Sequence, residues 1–186
     1  GEIISSVVLS NELQRDHVNS VAITGSLAGI LTNNGFTQAK ILEVKPDRIL
    51  EALQTHDVVV VAGFQGQTED GHVTTLGRGG SDTSAAALGI ALEANCVDIF
   101  TDVSGIMTAD PRMVDKARAL DIVSYSEICN MAYQGAKVIH PRAVEIAMQG
   151  KIPLRIRSTY TEEPGTLVTD AKPNAFDTDI IDRPIT

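Results

Sequence analysis

The chain has no tryptophan, two cysteines and few aromatic residues: four phenylalanines and three tyrosines in 186 positions. Cys96 and Cys129 form neither a metal-ligand spacing nor a Cys-x-x-Cys pair, so they read as a reduced, buried intracellular pair rather than a disulfide. His17, His56, His72 and His140 lie far from one another and from the cysteines, which argues against zinc. No run is long and apolar enough to cross a bilayer, and the chain opens on mixed, acidic residues rather than a secretory leader. Basic residues are in deficit: 15 Lys and Arg against 24 Asp and Glu leave a formal charge of −9. That disfavours sequence-independent nucleic-acid binding, which rests on neutralising phosphates. A local basic pocket for a small anion stays open. Three motifs are missing as well. There is no Gly-x-x-x-x-Gly-Lys-Ser/Thr and no Gly-x-Ser-x-Gly elbow, and Asp82 stands where a dinucleotide fingerprint needs its third glycine.

What is present fits a globular domain, with 43% hydrophobic residues and a length sufficient for a proper core. Apolar spacing predicts a helix over 2–13, and strands follow at 18–24 and 39–44. A helix opens at Pro46 with Ile49, Leu50 and Leu53 on one face. The run Val58–Val59–Val60–Val61 predicts a parallel strand buried on both faces, turning at Gly63–Phe64–Gln65–Gly66. Val73–Thr75 suggests a hairpin arm and 97–101 a strand. Ser124 with Glu127 predicts a capping box, opening a helix that stops at Gly135. A further helix runs from Pro141 and stops at Gly150, before strands at 152–157 and 165–168. Alternating strands and helices predict an α/β fold with a largely parallel sheet flanked by helices, with ligands at the carboxyl ends of strands. The stretch 170–186 loses periodicity and reads as a linker.

The chemistry concentrates in three places. Leu76–Gly77–Arg78–Gly79–Gly80–Ser81–Asp82–Thr83 reads as a glycine loop opening a helix, with Ser81, Asp82 and Thr83 suited to its start. Such an N-terminus favours anions, and Arg78 adds a planar charged fork. Thr101 to Arg112 gathers two carboxylates, two threonines and an arginine just after a strand; a ligand loop or a solvated connection would carry the same residues. Lys137, between a helix stop and a helix start, either meets a phosphate or is an ordinary surface lysine.

Five ordered blocks resemble those of the aspartokinases: 63–66, 75–83, 101–112, 135–142 and 164–167. Met107 and Tyr133–Gln134–Gly135–Ala136–Lys137 further resemble the lysine-pathway isoforms of spore-forming Gram-positive bacteria. The resemblance implies an amino acid kinase (carbamate kinase-like) fold and transfer of the ATP γ-phosphoryl group to the β-carboxylate of L-aspartate. That reaction is the first step toward lysine, threonine and methionine. The resemblance also implies a cytoplasmic enzyme, Mg2+ carried by the nucleotide, and a homo-oligomer in the complete protein. Neither a nucleic-acid nor a membrane partner is implied. Arg78, with Ser81 beside it, would clamp a carboxylate of aspartate, and Glu2 would hold its amino group. Asp82 would orient the lysines around the moving phosphoryl group, and Lys137 would meet the phosphates. Thr101 and Asp102 would contact the nucleoside, and Met107 would lie near the adenine where many relatives carry tyrosine. Thr108, Ala109, Asp110, Pro111 and Arg112 would line the sugar and phosphates.

The family's opening Lys-Phe-Gly-Gly-Thr-Ser strand and its ACT domains have no counterpart here, and Gly1 in place of methionine suggests a fragment or a processed chain. A partial catalytic domain over 1–169 is therefore expected, incomplete at the N-terminus, with inactive or weak turnover in isolation. Two alternatives accompany this reading: a fragment that at most binds nucleotide or self-associates, and a related kinase with another carboxylate or nucleotide acceptor.

Overall fold

Glu2–Arg15 folds as helix α1, closed by an Arg15–Glu12 ion pair at 2.9 Å in its last turn. Its inner face is made of serines. Ser6 and Ser10 are buried, Ser20 Oγ donates to Ser10 O at 2.8 Å, and the Ser10 and Ser20 hydroxyls lie 3.0 Å apart. Ile3, Ile4, Val7, Val8 and Leu9 face outward, Ile4 being 71% exposed. The helical spacing is as expected, but small residues take the inner face because they let the helix come close to the strand that carries Ser20.

The structure, a computed structural model, describes residues 1–110, 112–133 and 139–170. The predicted stop at Gly135 and the linker over 171–186 lie outside the described residues. The chain divides into two compact units, Gly1–Ala94 and Asn95–Thr186.

In the first unit, β1 (Ser20–Ile23) pairs in parallel with β4 (Val58–Val61), Ser20 opposite Val58. The four valines are half-buried rather than buried on both faces. Among the described residues β1 is the only strand paired with theirs, so solvent reaches the other edge. A second sheet has the order β3 (Ile41–Val44), β2 (Ile30–Thr32), β5 (Gln65–Gln67), β6 (Val73–Thr75). The predicted turn at 63–66 therefore re-enters a strand at Gln65. Three-residue strands such as β2 and β5 carry no period of their own; they exist through pairing and through contacts such as the buried Thr32–Thr74 hydroxyl pair at 2.6 Å. Helix α2 (Asp47–Leu53) starts after Pro46 as predicted, but buries Ile49 alone and leaves Leu50 and Leu53 exposed. Helix α3 spans Gly80–Ala91.

In the second unit the order is β7 (Val97–Thr101), β9 (Leu154–Ser158), β10 (Thr166–Thr169), β8 (Ile122–Ser124). Leu154, Ile156, Val168 and Val123 are buried along these strands, and the helices α4 (Tyr125–Tyr133) and α5 (Pro141–Gly150) bury Ile128, Ala143, Val144 and Ala147. The capping box forms: the Glu127 N–H donates to Ser124 Oγ at 3.2 Å, and the Ser124 N–H donates to Glu127 Oε2 at 2.9 Å. Pro141 sits in the first turn of α5, and His140 Nδ1 accepts from the Arg142 N–H at 3.3 Å. The stop differs from expectation, since Gly150 stays helical and Lys151 takes the left-handed conformation at φ 55°. Four of the seven strand pairings across the two units are parallel, in an α/β fold.

Candidate active site

In the first unit the glycine loop builds the head of α3. Gly79, at φ 69°, is the N-cap, and no side chain caps the helix. Of the residues expected at its start, Thr83 turns its hydroxyl to the backbone instead, donating to Gly79 O at 2.8 Å; Ser84 Oγ likewise donates to Gly80 O at 2.7 Å. Ser84 Oγ also accepts from the Phe64 N–H at 2.9 Å, and the Leu76 N–H donates to Phe64 O at 3.0 Å. These bonds hold Phe64 at φ 67°, a strained conformation for a residue of its bulk. Gly80 has no room for a side chain, since a Cβ there would stand 2.6 Å from Phe64 Cδ2.

The turn after β4 is thereby fastened to the head of α3, and a Cβ on Gly63 would stand 3.6 Å from Ser81 Cα. Gly63 also lines an open cleft of about 360 Å3 together with Glu2, Ser5, Ser6 and Val60–Ala62. Glu2 lines this cleft, and Ser81 is not among its lining residues. The N–H groups of Ser81 and Asp82 have no backbone acceptor among the described residues. Arg78 is exposed and Asp82 half-buried, and neither has an ion-pair partner among the described residues. Free amides with a free guanidinium suit an anion; the Glu2 carboxylate suits a cation.

In the second unit, Thr101 and Asp102 end β7 beside the end of β9. Thr101 pairs with Ser158, and Thr159 donates to Thr101 O from its N–H at 2.8 Å and its hydroxyl at 3.1 Å. Thr101 Oγ1 donates to Asp102 Oδ1 at 3.1 Å. The chain then makes a long excursion whose base is closed by Thr166. Its buried hydroxyl accepts from the Ile106 N–H at 2.8 Å and donates to Leu120 O at 2.6 Å. Met107 bridges to Ala119, and Thr108 exchanges bonds with Arg118 through its N–H and hydroxyl. Beyond Ala109, Arg112 grips Asp110 with two guanidinium nitrogens at 3.2 and 3.1 Å. These bonds hold the Asp110 carboxyl below the usual carboxylate range. Arg112 is therefore already neutralised where it stands.

Thr101, Asp102, Met107, Thr108, Ala109, Asp110 and Arg112 lie on this one excursion; Pro111 and Lys137 lie outside the described residues. Thr166 escaped the sequence reading as a functional residue, although its Pro-Gly-Thr block carried part of the resemblance. Thr159 had no signal, and Phe64 only its place in the 63–66 block, because their roles come from partners distant in sequence. Cys96 and Cys129 are half-buried rather than buried. Burial, and then the Asp98 charge, push the Cys96 thiol to about 11. Among the described residues no three His, Cys, Asp or Glu side chains are grouped to hold a metal ion, and no helix is long and apolar enough to cross a membrane.

Known proteins of similar sequence and shape bear on this geometry. Aspartokinase 1 of Bacillus subtilis (strain 168) is 60% identical over 186 residues, which is 100% of this chain and 46% of that protein. The aspartokinase of Mycolicibacterium smegmatis is 47% identical over 169 residues, 90% of this chain and 40% of that protein. The crystal structure of E. coli aspartokinase III in complex with aspartate and ADP matches with a TM-score of 0.84 at 36% identity, covering 94% of this chain and 40% of that one. The chain spans less than half the length of these relatives. Residues 1–158 match the amino acid kinase family. On that match, and on an α/β architecture shared with solved members, the chain belongs to the amino acid kinase family.

Proposed function

We propose that this chain forms part of the catalytic domain of an aspartokinase, over residues 1–169, and serves transfer of the ATP γ-phosphoryl group to the β-carboxylate of L-aspartate. In that reaction the bond between the γ-phosphorus and its bridging oxygen breaks, a carboxylate oxygen takes the phosphoryl group, and ADP leaves beside 4-phospho-L-aspartate. The observation that carries the reading is the head of α3, where the Ser81 and Asp82 N–H groups lack a backbone acceptor and Arg78 lacks an ion-pair partner among the described residues. Two free amides beside an unpaired guanidinium have the polarity that a carboxylate requires.

On this reading Arg78, beside Ser81, clamps a carboxylate of aspartate, and Glu2 receives its ammonium. Asp82 orients the lysines that surround the phosphoryl group, and Lys137 meets the phosphates. Thr101, Asp102 and Met107 face the nucleoside, and 108–112 the sugar and phosphates. Phosphoryl transfer asks mainly for alignment and charge stabilisation. One preorganised donor is worth about 3–4 kcal/mol in the transition state. The residues present suit Mg2+ held by the nucleotide's phosphates rather than by a protein cage, the usual arrangement for this ion. When bound, the ion supplies charge neutralisation between the phosphates. The whole protein is read as a cytoplasmic homo-oligomer in the synthesis of lysine, threonine and methionine.

The test traps the acyl phosphate with hydroxylamine. Incubation of the complete protein that carries this chain with ATP, magnesium and L-aspartate is expected to yield aspartyl hydroxamate, and the isolated chain little or none. Hydroxamate from glutamate or acetylglutamate in its place overturns the assignment of the acceptor. Calorimetric titration with ATP reads binding separately, so that a chain which binds without turning over is told from one that does neither.

A further inference from the structure

We infer that Tyr160 is the aromatic wall against which the base of the bound nucleotide stacks. This rests on the nucleotide reading above and adds a residue that the reading does not use. Strands β7 and β9 run parallel and end in register at Thr101 and Ser158, so their carboxyl ends form one edge. Ligands of α/β sheets bind outside such edges. Tyr160 is the second residue past β9 and is 81% exposed. Its backbone is nonetheless pinned. The buried Ser158 hydroxyl accepts the Tyr160 N–H at 3.0 Å, and Thr159 is held twice to Thr101 O. The ring is thus presented from a fixed backbone next to Thr101 and Asp102.

The other aromatic residues described in this unit are engaged. The Phe100 ring lies under the Arg157 guanidinium at 5.4 Å, the Tyr125 hydroxyl donates to Ile152 O, and the Tyr133 hydroxyl donates to Glu145. Neither the ring nor the hydroxyl of Tyr160 has a partner among the described residues. On the neighbouring excursion Met107 offers a thioether, which is polarizable but not planar. An open aromatic face carried on a pinned backbone at a strand edge is a surface on which a nucleobase stacks.

The chain has no tryptophan and three tyrosines, so its tyrosine emission can be read directly. ATP is titrated into the wild type, Tyr160→Ala and Tyr160→Phe, by calorimetry and by emission. Tyr160→Ala is expected to weaken ATP at least about tenfold, within the usual cost of losing one base–aromatic stack. Tyr160→Phe is expected to keep the affinity while losing most of the emission quench that ATP produces in the wild type. A merely structural tyrosine would not leave that optical signature. If Tyr160→Ala binds ATP like the wild type, or Tyr160→Phe keeps the full quench, the inference falls and the nucleotide reading stands. A wild type that does not bind ATP overturns both.

Discussion

Two arginines in this chain invite the same role and are set apart by their neighbours. Arg112 is paired with Asp110 through two nitrogens, an exposed pair of little worth for stability. Arg78 is exposed with no ion pair among the described residues, in the loop that leads to the free amides of Ser81 and Asp82. A clamp for a carboxylate must have its charge available, which favours Arg78. Truncation to Arg78→Ala is expected to raise the KM for aspartate at least about tenfold, the factor that 1.4 kcal/mol represents, with a smaller effect on kcat. Arg78→Lys should recover only part of this, because an ammonium lacks the bidentate fork. Lys137→Met is expected to act on the other quantity, lowering kcat with little change in the aspartate KM. Steady-state kinetics with each substrate varied in turn separate the two; unchanged aspartate dependence in Arg78→Ala would remove that residue from the site.

At the scale of elements, the base of the excursion between β7 and β8 is tied by one hydroxyl, beside the Leu120 N–H that donates to Ile106 O at 2.8 Å. Thr166 Oγ1 satisfies both the buried Ile106 N–H and the part-buried Leu120 O. Thr166→Val keeps the volume and strands both groups. A buried polar group left unpaired costs about 1–3 kcal/mol. The variant is expected to lose about 2 kcal/mol by urea unfolding and to bind ATP more weakly, since Met107, Thr108 and Asp110 hang from that base. An unfolding midpoint equal to the wild type's would show that the excursion is held elsewhere. The head of α3 follows the same logic with a different device. Helix, loop and strand turn meet around Phe64, and the glycine at 80 is required by the ring beside it rather than by its own φ.

For the molecule as a whole, alkali is the informative stress. Burial pushes the Tyr125 hydroxyl from 10.0 to about 12, and burial followed by the Asp98 charge pushes the Cys96 thiol from 9.0 to about 11. Both groups hold their protons more tightly folded than unfolded. Their contribution to stability is therefore complete below pH 9 and is lost as the pH rises through 11 and then 12. Urea midpoints measured from pH 8 to 12 should fall progressively above pH 9. Tyr125→Phe should shallow that fall while lowering stability at neutral pH, because Ile152 O loses its donor. A midpoint flat to pH 12 would contradict the burial assigned to both groups.

Local rules were enough for the features that a few neighbouring residues decide. The Ser124–Glu127 box, the start of α5 at Pro141, the strand over 97–101 and the alternation that marks an α/β fold were all legible. The ordered blocks that place the chain in its family were legible too. Four things were not: which side of α1 faces inward, which residue opens α3, where the three-residue strands other than the Val73–Thr75 hairpin arm lie, and what closes the excursion after β7. Each is set by a partner far along the chain. Ser84 reaches Phe64 across 20 positions, and Thr166 reaches Leu120 across 46 and Ile106 across 60. Helical period and capping act within about one turn, so they determined the elements. The close approaches that set Gly63 against Ser81 in the first unit, and Thr101 against Thr159 in the second, arise only when the chain is packed, and they decided which residues face one another within each unit.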